Sequence, residues 1–180
     1  MRKLALLALV GLFFISCKQG EPRYTQSSAE IDTFKELIAA YEGADWENYT
    51  AKFADTAQVY HNTDDKPMTP AETVEAHKTN TAALSSYGFV PDKGDMEMVT
   101  TDEGETWVNY WGLWKGTIAS NGKEMMTPVH VTAQFVDGKV VKEYGYWDNA
   151  PMVAAMEEAA AAEAPDEVKP ADEVNPGGAE

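Results

Sequence analysis

Asn121-Gly122 and Asp137-Gly138 are the two dipeptides that most constrain this chain. Asn-Gly and Asp-Gly favour the type I′ hairpin turn, because both central positions of that turn need positive φ. They separate three runs rich in aromatic and valine-like residues, 107–118, 125–136 and 139–147. Connections this short join only antiparallel neighbours, so a meander of three long strands is expected. Side chains alternate across a strand, which sets Trp107 and Trp111 on one face of the first run and Tyr110 and Trp114 on the other. Both faces are partly apolar, as expected if one lines a core or pocket and the other meets a partner.

Upstream, the apolar period changes from two to about 3.6. Ser27 and Glu30 have capping-box spacing ahead of Ile31, Phe34, Leu37, Ile38 and Tyr41, which recur on one helical face up to Gly43. Asp45 can cap a second, shorter helix with Trp46, Tyr49 and Phe53 on its inner side, and Val59-Tyr60 begins a short strand. Thr69-Pro70-Ala71-Glu72 is a strong helix start, with a capping residue, Pro in the first turn and Glu closing the box. Val74, His77, Thr81 and Leu84 share a face of this third helix, which Gly88 and Pro91 end. Three N-terminal helices followed by a curved antiparallel sheet describe an α+β domain with helices on one face.

The termini differ in character. Arg2 and Lys3, an apolar run from Leu4 to Ile15 and the small Ser16 have the three parts of a secretory signal. Phe14-Ile15-Ser16-Cys17 resembles the lipobox of bacterial lipoproteins, which implies cleavage after residue 16 and acylation of Cys17 by chains such as palmitate. An ordinary signal peptide is the alternative; a membrane span is disfavoured, since crossing takes roughly 20 apolar residues. Residues 17–28 then form a polar tether, 29–150 the folded domain and 151–180 an Ala/Glu/Pro-rich acidic tail. Within that tail Val153 to Ala164 has good local helix propensity with little to bury. The near-repeat of Asp-Glu-Val at 166–168 and 172–174 is low-complexity sequence, expected to be partly disordered.

Charge and cysteine count exclude whole classes. The formal net charge is −16, so nucleic-acid binding is not expected, because phosphate neutralisation needs a basic face. Cys17 is the sole cysteine, so stability must come from a hydrophobic core, which a chain with 44% apolar residues can supply. Membrane attachment is expected through the lipid. Lys18 after the cysteine favours the periplasmic face of the outer membrane.

Helix, short helix, strand, capped helix and meander, in that order, resemble the NTF2-like fold. Residues Ala44-Asp45-Trp46-Glu47 through Phe53-Ala54-Asp55-Thr56-Ala57-Gln58-Val59, then Phe135-Val136-Asp137-Gly138-Lys139-Val140, then Tyr146-Trp147-Asp148, are similar to segments of its SnoaL-like and ketosteroid-isomerase-like branch. The resemblance spans residues 29–150 and implies a cone with a pocket at its open end. Members of that superfamily include isomerases, cyclases and non-catalytic binders, so fold alone does not fix function. The isomerase tyrosine position falls at Leu37, the base position at His61 and the oxyanion-aspartate position at Val131. Leu and Val cannot donate a hydrogen bond to a developing enolate, which argues against keto-steroid isomerisation.

The leading expectation is a lipid-anchored, cell-envelope domain that binds a small, mainly apolar ligand without established catalysis. Leu37, His61, Trp111, Val131 and Trp147 are its expected ligand-binding residues. The alternatives are a SnoaL-like isomerase, cyclase or hydrolase with His61 as catalytic general base, and a dimeric interaction module. Homodimerisation is implied by the resemblance alone. His130 is expected on the face away from Phe135, and His77 as a core histidine. No two histidines have metal-ligand spacing, so no metal and no cofactor are expected.

Overall fold

The computed structural model describes residues 23–163. The leader, Cys17, the start of the tether and the acidic repeat after Glu163 lie outside the described residues. In chain order the elements are β1 (Tyr24–Thr25), α1 (Ala29–Glu42), α2 (Trp46–Ala51), β2 (Phe53–His61), α3 (Pro70–Thr81), β3 (Leu84–Phe89), β4 (Asp95–Thr100), β5 (Thr106–Ile118), β6 (Glu124–Val136), β7 (Lys139–Trp147) and α4 (Ala150–Glu163). No helix among the described residues is long and apolar enough to cross a membrane.

The three long strands pair antiparallel in the order β5-β6-β7. Asp137 and Gly138 both have positive φ, as the two-residue β6–β7 turn requires. The β5–β6 connection is longer than a type I′ turn. There only Gly122 has positive φ, and the Asn121 side chain accepts from Lys123 N–H at 2.9 Å. An Asn side chain that closes its own turn removes the need for two left-handed residues.

The sheet is mixed rather than antiparallel. β2 lies beside β7 in parallel, with Val59 opposite Glu143 and His61 opposite Gly145. β4 pairs with the N-terminal half of β5 and β3 with its C-terminal half. One long strand thus serves two partners, and the sheet curls around the helices while its ends, β1 and β2, stay unpaired with each other.

Cap chemistry explains the helix boundaries. Ser28, not Ser27, caps α1 and accepts from Ile31 N–H at 3.2 Å, so Glu30 closes no box. Asp45 caps α2 through Asn48 N–H. Thr69 and Glu72 form the reciprocal box at α3, at 3.2 and 2.7 Å. α3 ends at Thr81, and Leu84 belongs to β3 opposite Ile118, where pairing with an existing strand edge displaces another helical turn.

The core lies between α1 and the inner sheet face: Ile31, Phe34 and Leu37 meet Val59, Val108, Tyr110, Ala133, Phe135 and Val140. A second cluster joins α4 to the sheet, with Ala155 and Ala159 buried against Ile118 and Met125. The alanine-rich segment therefore does bury a face; its small side chains let the helix lie close to the strands, and the compact unit extends past residue 150.

Candidate functional site

Strand alternation aims one set of side chains at the helices. On β5 these are Val108, Tyr110 and Trp114, on β6 Val131, Ala133 and Phe135, and on β7 Glu143, Gly145 and Trp147. A register shift at Gln134/Phe135 sets the β7 phase, so that Val140 and Glu143, three apart, both end up buried. Gly145 is needed for room: a Cβ there would come within 2.6 Å of Trp147 and 3.2 Å of His61.

The result is a chamber of about 70 Å³. It is lined by Phe34, Leu37, Ile38 and Tyr41 of α1, Tyr49 of α2, His61, His77, Phe89, Tyr110, Val131, Glu143 and Trp147. Tyr41, His77 and Trp147 also line an outer chamber of about 110 Å³, bounded by Trp114, Asp148, Asn149 and Met152. The two chambers adjoin at those three residues, and Met152 of α4 lines the second.

Four polar groups meet at the inner end. Glu143 is buried, and its Oε1 lies 3.5 Å from His61 Nε2. Its Oε2 is buried with no hydrogen-bond partner among the described residues. Tyr49 hydroxyl and His77 Nε2 share a hydrogen bond of 3.1 Å, and the His61 and His77 rings are 5.5 Å apart. Burial, reinforced by the Glu143 charge, pushes the Tyr49 phenol well above its ordinary pKa. Burial, reinforced by His61, pulls His77 down to about 3, so His77 is neutral at pH 7. Tyr41 is also raised by burial; its oxygen accepts from Trp114 Nε1 at 3.1 Å, and among the described residues its own O–H meets no acceptor.

Leu37, His61, Val131 and Trp147 come together in the inner chamber. Trp111 does not. It is on the outer face, 45% exposed and stacked on His130 at 4.9 Å. The residue type was right for a pocket, but the inward phase of β5 belongs to Tyr110 and Trp114. His130 is on the outer side and donates through Nδ1 to the Tyr110 carbonyl at 3.1 Å. Glu143, Tyr49 and Tyr41 were not singled out for the site. The placement of Trp147 in the pocket carried the signal for Glu143, since alternation back from it gives Gly145 and Glu143. Among the described residues no group of three or more His, Cys, Asp or Glu side chains could hold a metal ion.

No protein-family model matches the chain, and no curated protein sequence matches it significantly. Solved structures do match. One, assigned as a SnoaL-like polyketide cyclase from Shewanella denitrificans, is 13% identical; the alignment covers 73% of this chain and 99% of that one, with a TM-score of 0.56. An NTF2-like protein of unknown function from Burkholderia pseudomallei is 16% identical, over 71% and 97% of the two chains, with a TM-score of 0.54. A protein with a ketosteroid-isomerase-like fold from Catenulispora acidiphila, in complex with trimethylamine, is 12% identical, over 68% and 90%, with a TM-score of 0.55. These likenesses show the fold alone: α+β, of the NTF2-like kind, with a curved mixed sheet and, among the described residues, four helices.

Proposed function

We propose that this protein binds a small, mainly apolar molecule in the inner chamber, with the polar group of that molecule against Glu143 and His61. The observation that carries the reading is the buried Glu143 Oε2, which has no hydrogen-bond partner among the described residues, in a chamber lined mainly by aromatic and aliphatic side chains. A buried polar atom without a partner costs about 1–3 kcal/mol, and a ligand that satisfies it is the simplest reason for its presence. Fold neighbours are consistent with small-molecule work, since one was solved with a small organic molecule bound.

Native mass spectrometry of the purified protein tests this. An adduct is expected in the wild type and should be lost in Val131→Phe, which fills the chamber from β6. No adduct, together with equal thermal shifts for both proteins across a fragment set, would sink the reading.

A second reading is acid–base catalysis of the SnoaL-like kind. Glu143 facing Nε2 would hold that nitrogen protonated and leave Nδ1 of His61 as the base. Tyr41, one helical turn beyond Leu37, would offer its free O–H to a developing oxyanion. Under this reading the bound molecule is converted, and His61→Ala keeps binding but loses conversion.

We also propose lipid attachment at Cys17 and residence at the cell envelope, on the strength of the Phe14-Ile15-Ser16-Cys17 segment. Growth with labelled palmitate should tag the wild type and leave Cys17→Ser untagged. Equal label in both would remove the anchor.

A further inference from the structure

Resting on the binding reading above, we infer that the inner chamber selects an organic cation: a small alkylammonium whose N–H meets Glu143 and whose carbons lie against aromatic faces. The argument starts from what the chamber lacks. Among the described residues neither chamber is lined by Lys or Arg, so none of them sets a fixed cation beside Glu143. His61 approaches only Oε1, at 3.5 Å, which is long for a charge-assisted hydrogen bond. Oε2 is left buried and free.

A carboxylate oxygen in that state accepts and cannot donate. A ligand carbonyl, ether or carboxylate would place acceptor against acceptor. An alcohol would supply one hydrogen bond from a donor that carries no charge of its own. An ammonium supplies the same hydrogen bond plus opposite charge in a place with little water to screen it.

The rest of the lining favours the same occupant. Tyr41, Tyr49, Phe89, Tyr110 and Trp147 line the chamber, and an aromatic ring whose face is open to a cation attracts it, most strongly once it is desolvated. A net charge of −16 also draws cations toward the protein and repels anions. Size sets a limit. About 70 Å³ admits about five water-sized groups, at roughly 10–15 Å³ each, so the head group is small and a longer chain would extend beyond this chamber.

The test uses three isosteric probes on the whole protein at pH 7.5: isobutylamine, isobutanol and isobutyrate, titrated by NMR with the Trp indole signals followed. Isobutylamine is expected to bind at least tenfold more tightly than isobutanol, and isobutyrate more weakly than either. In Glu143→Gln, which keeps the side-chain shape, the amine and the alcohol should fall within about twofold of each other. Isobutanol binding as tightly as the amine would overturn the cation inference and leave the binding reading standing. So would an amine preference that survives Glu143→Gln. Failure of all three probes to perturb any chamber resonance would overturn both.

Discussion

Between pH 7 and pH 5 the protein should lose stability by up to about 1.4 kcal/mol per pH unit through His77 alone. The sign follows from where the proton goes. In the unfolded chain the imidazole titrates near 6.5, whereas the folded site holds it down to about 3. Below 6.5 the unfolded state therefore binds a proton that the native state refuses, and each pH unit shifts the balance by about 1.4 kcal/mol. Above 6.5 the two states agree and the term is flat. The causes are structural: burial first, then the His61 ring at 5.5 Å, with Tyr41 at 4.9 Å and Trp46 stacked at 6.2 Å completing the enclosure. Across the whole window to pH 3 the term would reach about 4–5 kcal/mol, an upper figure, because His77 also borders the outer chamber and water there offsets part of it. Asp45 and Glu72 are held below their ordinary values by cap hydrogen bonds. Their contribution is present above the unfolded carboxylate range and is lost only below it, so these two groups add little slope between pH 5 and 7. Urea unfolding at several pH values, with His77→Gln as control, is the measurement. His77→Gln should flatten the slope in that window; parallel profiles for the two proteins would show that His77 titrates as an ordinary exposed histidine.

His77 also illustrates what the sequence makes legible. The Thr69-Pro70-Ala71-Glu72 start places a helix, and the apolar period places His77 on its inner face. Both follow from local rules, and both agree with α3 as observed. The meander β5-β6-β7 is equally local: Asp137-Gly138 specifies a two-residue turn, and alternation of aromatics and valines does the rest. Partners remote in sequence were not legible. Nothing near Val59 announces that its strand will lie parallel to one about 80 residues later, because parallel pairing has no turn signature. Leu84 fell at helical spacing from Thr81, and only the edge of β5 makes it a strand residue.

The site shows the same division. Leu37, His61, Val131 and Trp147, the positions that the fold resemblance points to, line one chamber. For Trp111 the sequence gives two strand faces, both partly apolar, and no sign of which one turns inward. Glu143 had the opposite problem. An acid in an amphipathic strand reads as solvent-facing, and counting by twos from Val140 points it outward. The register shift beside Phe135 changes that count, and a bulge of this kind leaves no sequence mark here.

Replacing Glu143 with Met should stabilise the protein by about 1–3 kcal/mol while removing its selectivity for cations. Two expectations compete at a buried charge. If Glu143 and His61 form a well-matched pair, cutting it strands a buried partner and costs about 3–5 kcal/mol. If Glu143 is a poorly satisfied acceptor, an apolar side chain of similar volume recovers the cost of burying it. The geometry favours the second. The contact to His61 is 3.5 Å, Oε2 has no hydrogen-bond partner among the described residues, and the chamber it lines is mostly aromatic and aliphatic. Met is flexible enough to fill the space that Glu143 leaves, and its thioether packs well on aromatic rings. Urea denaturation of Glu143→Met against wild type at pH 7.5 reads the sign directly. A gain means that the carboxylate is held in place against the stability of the fold, which is the expected cost of a group kept for a ligand. A loss of about 3 kcal/mol or more means that Glu143 belongs to the architecture of β7 and β2, and the chamber would then have to recognise its ligand through His61 and Tyr41 instead.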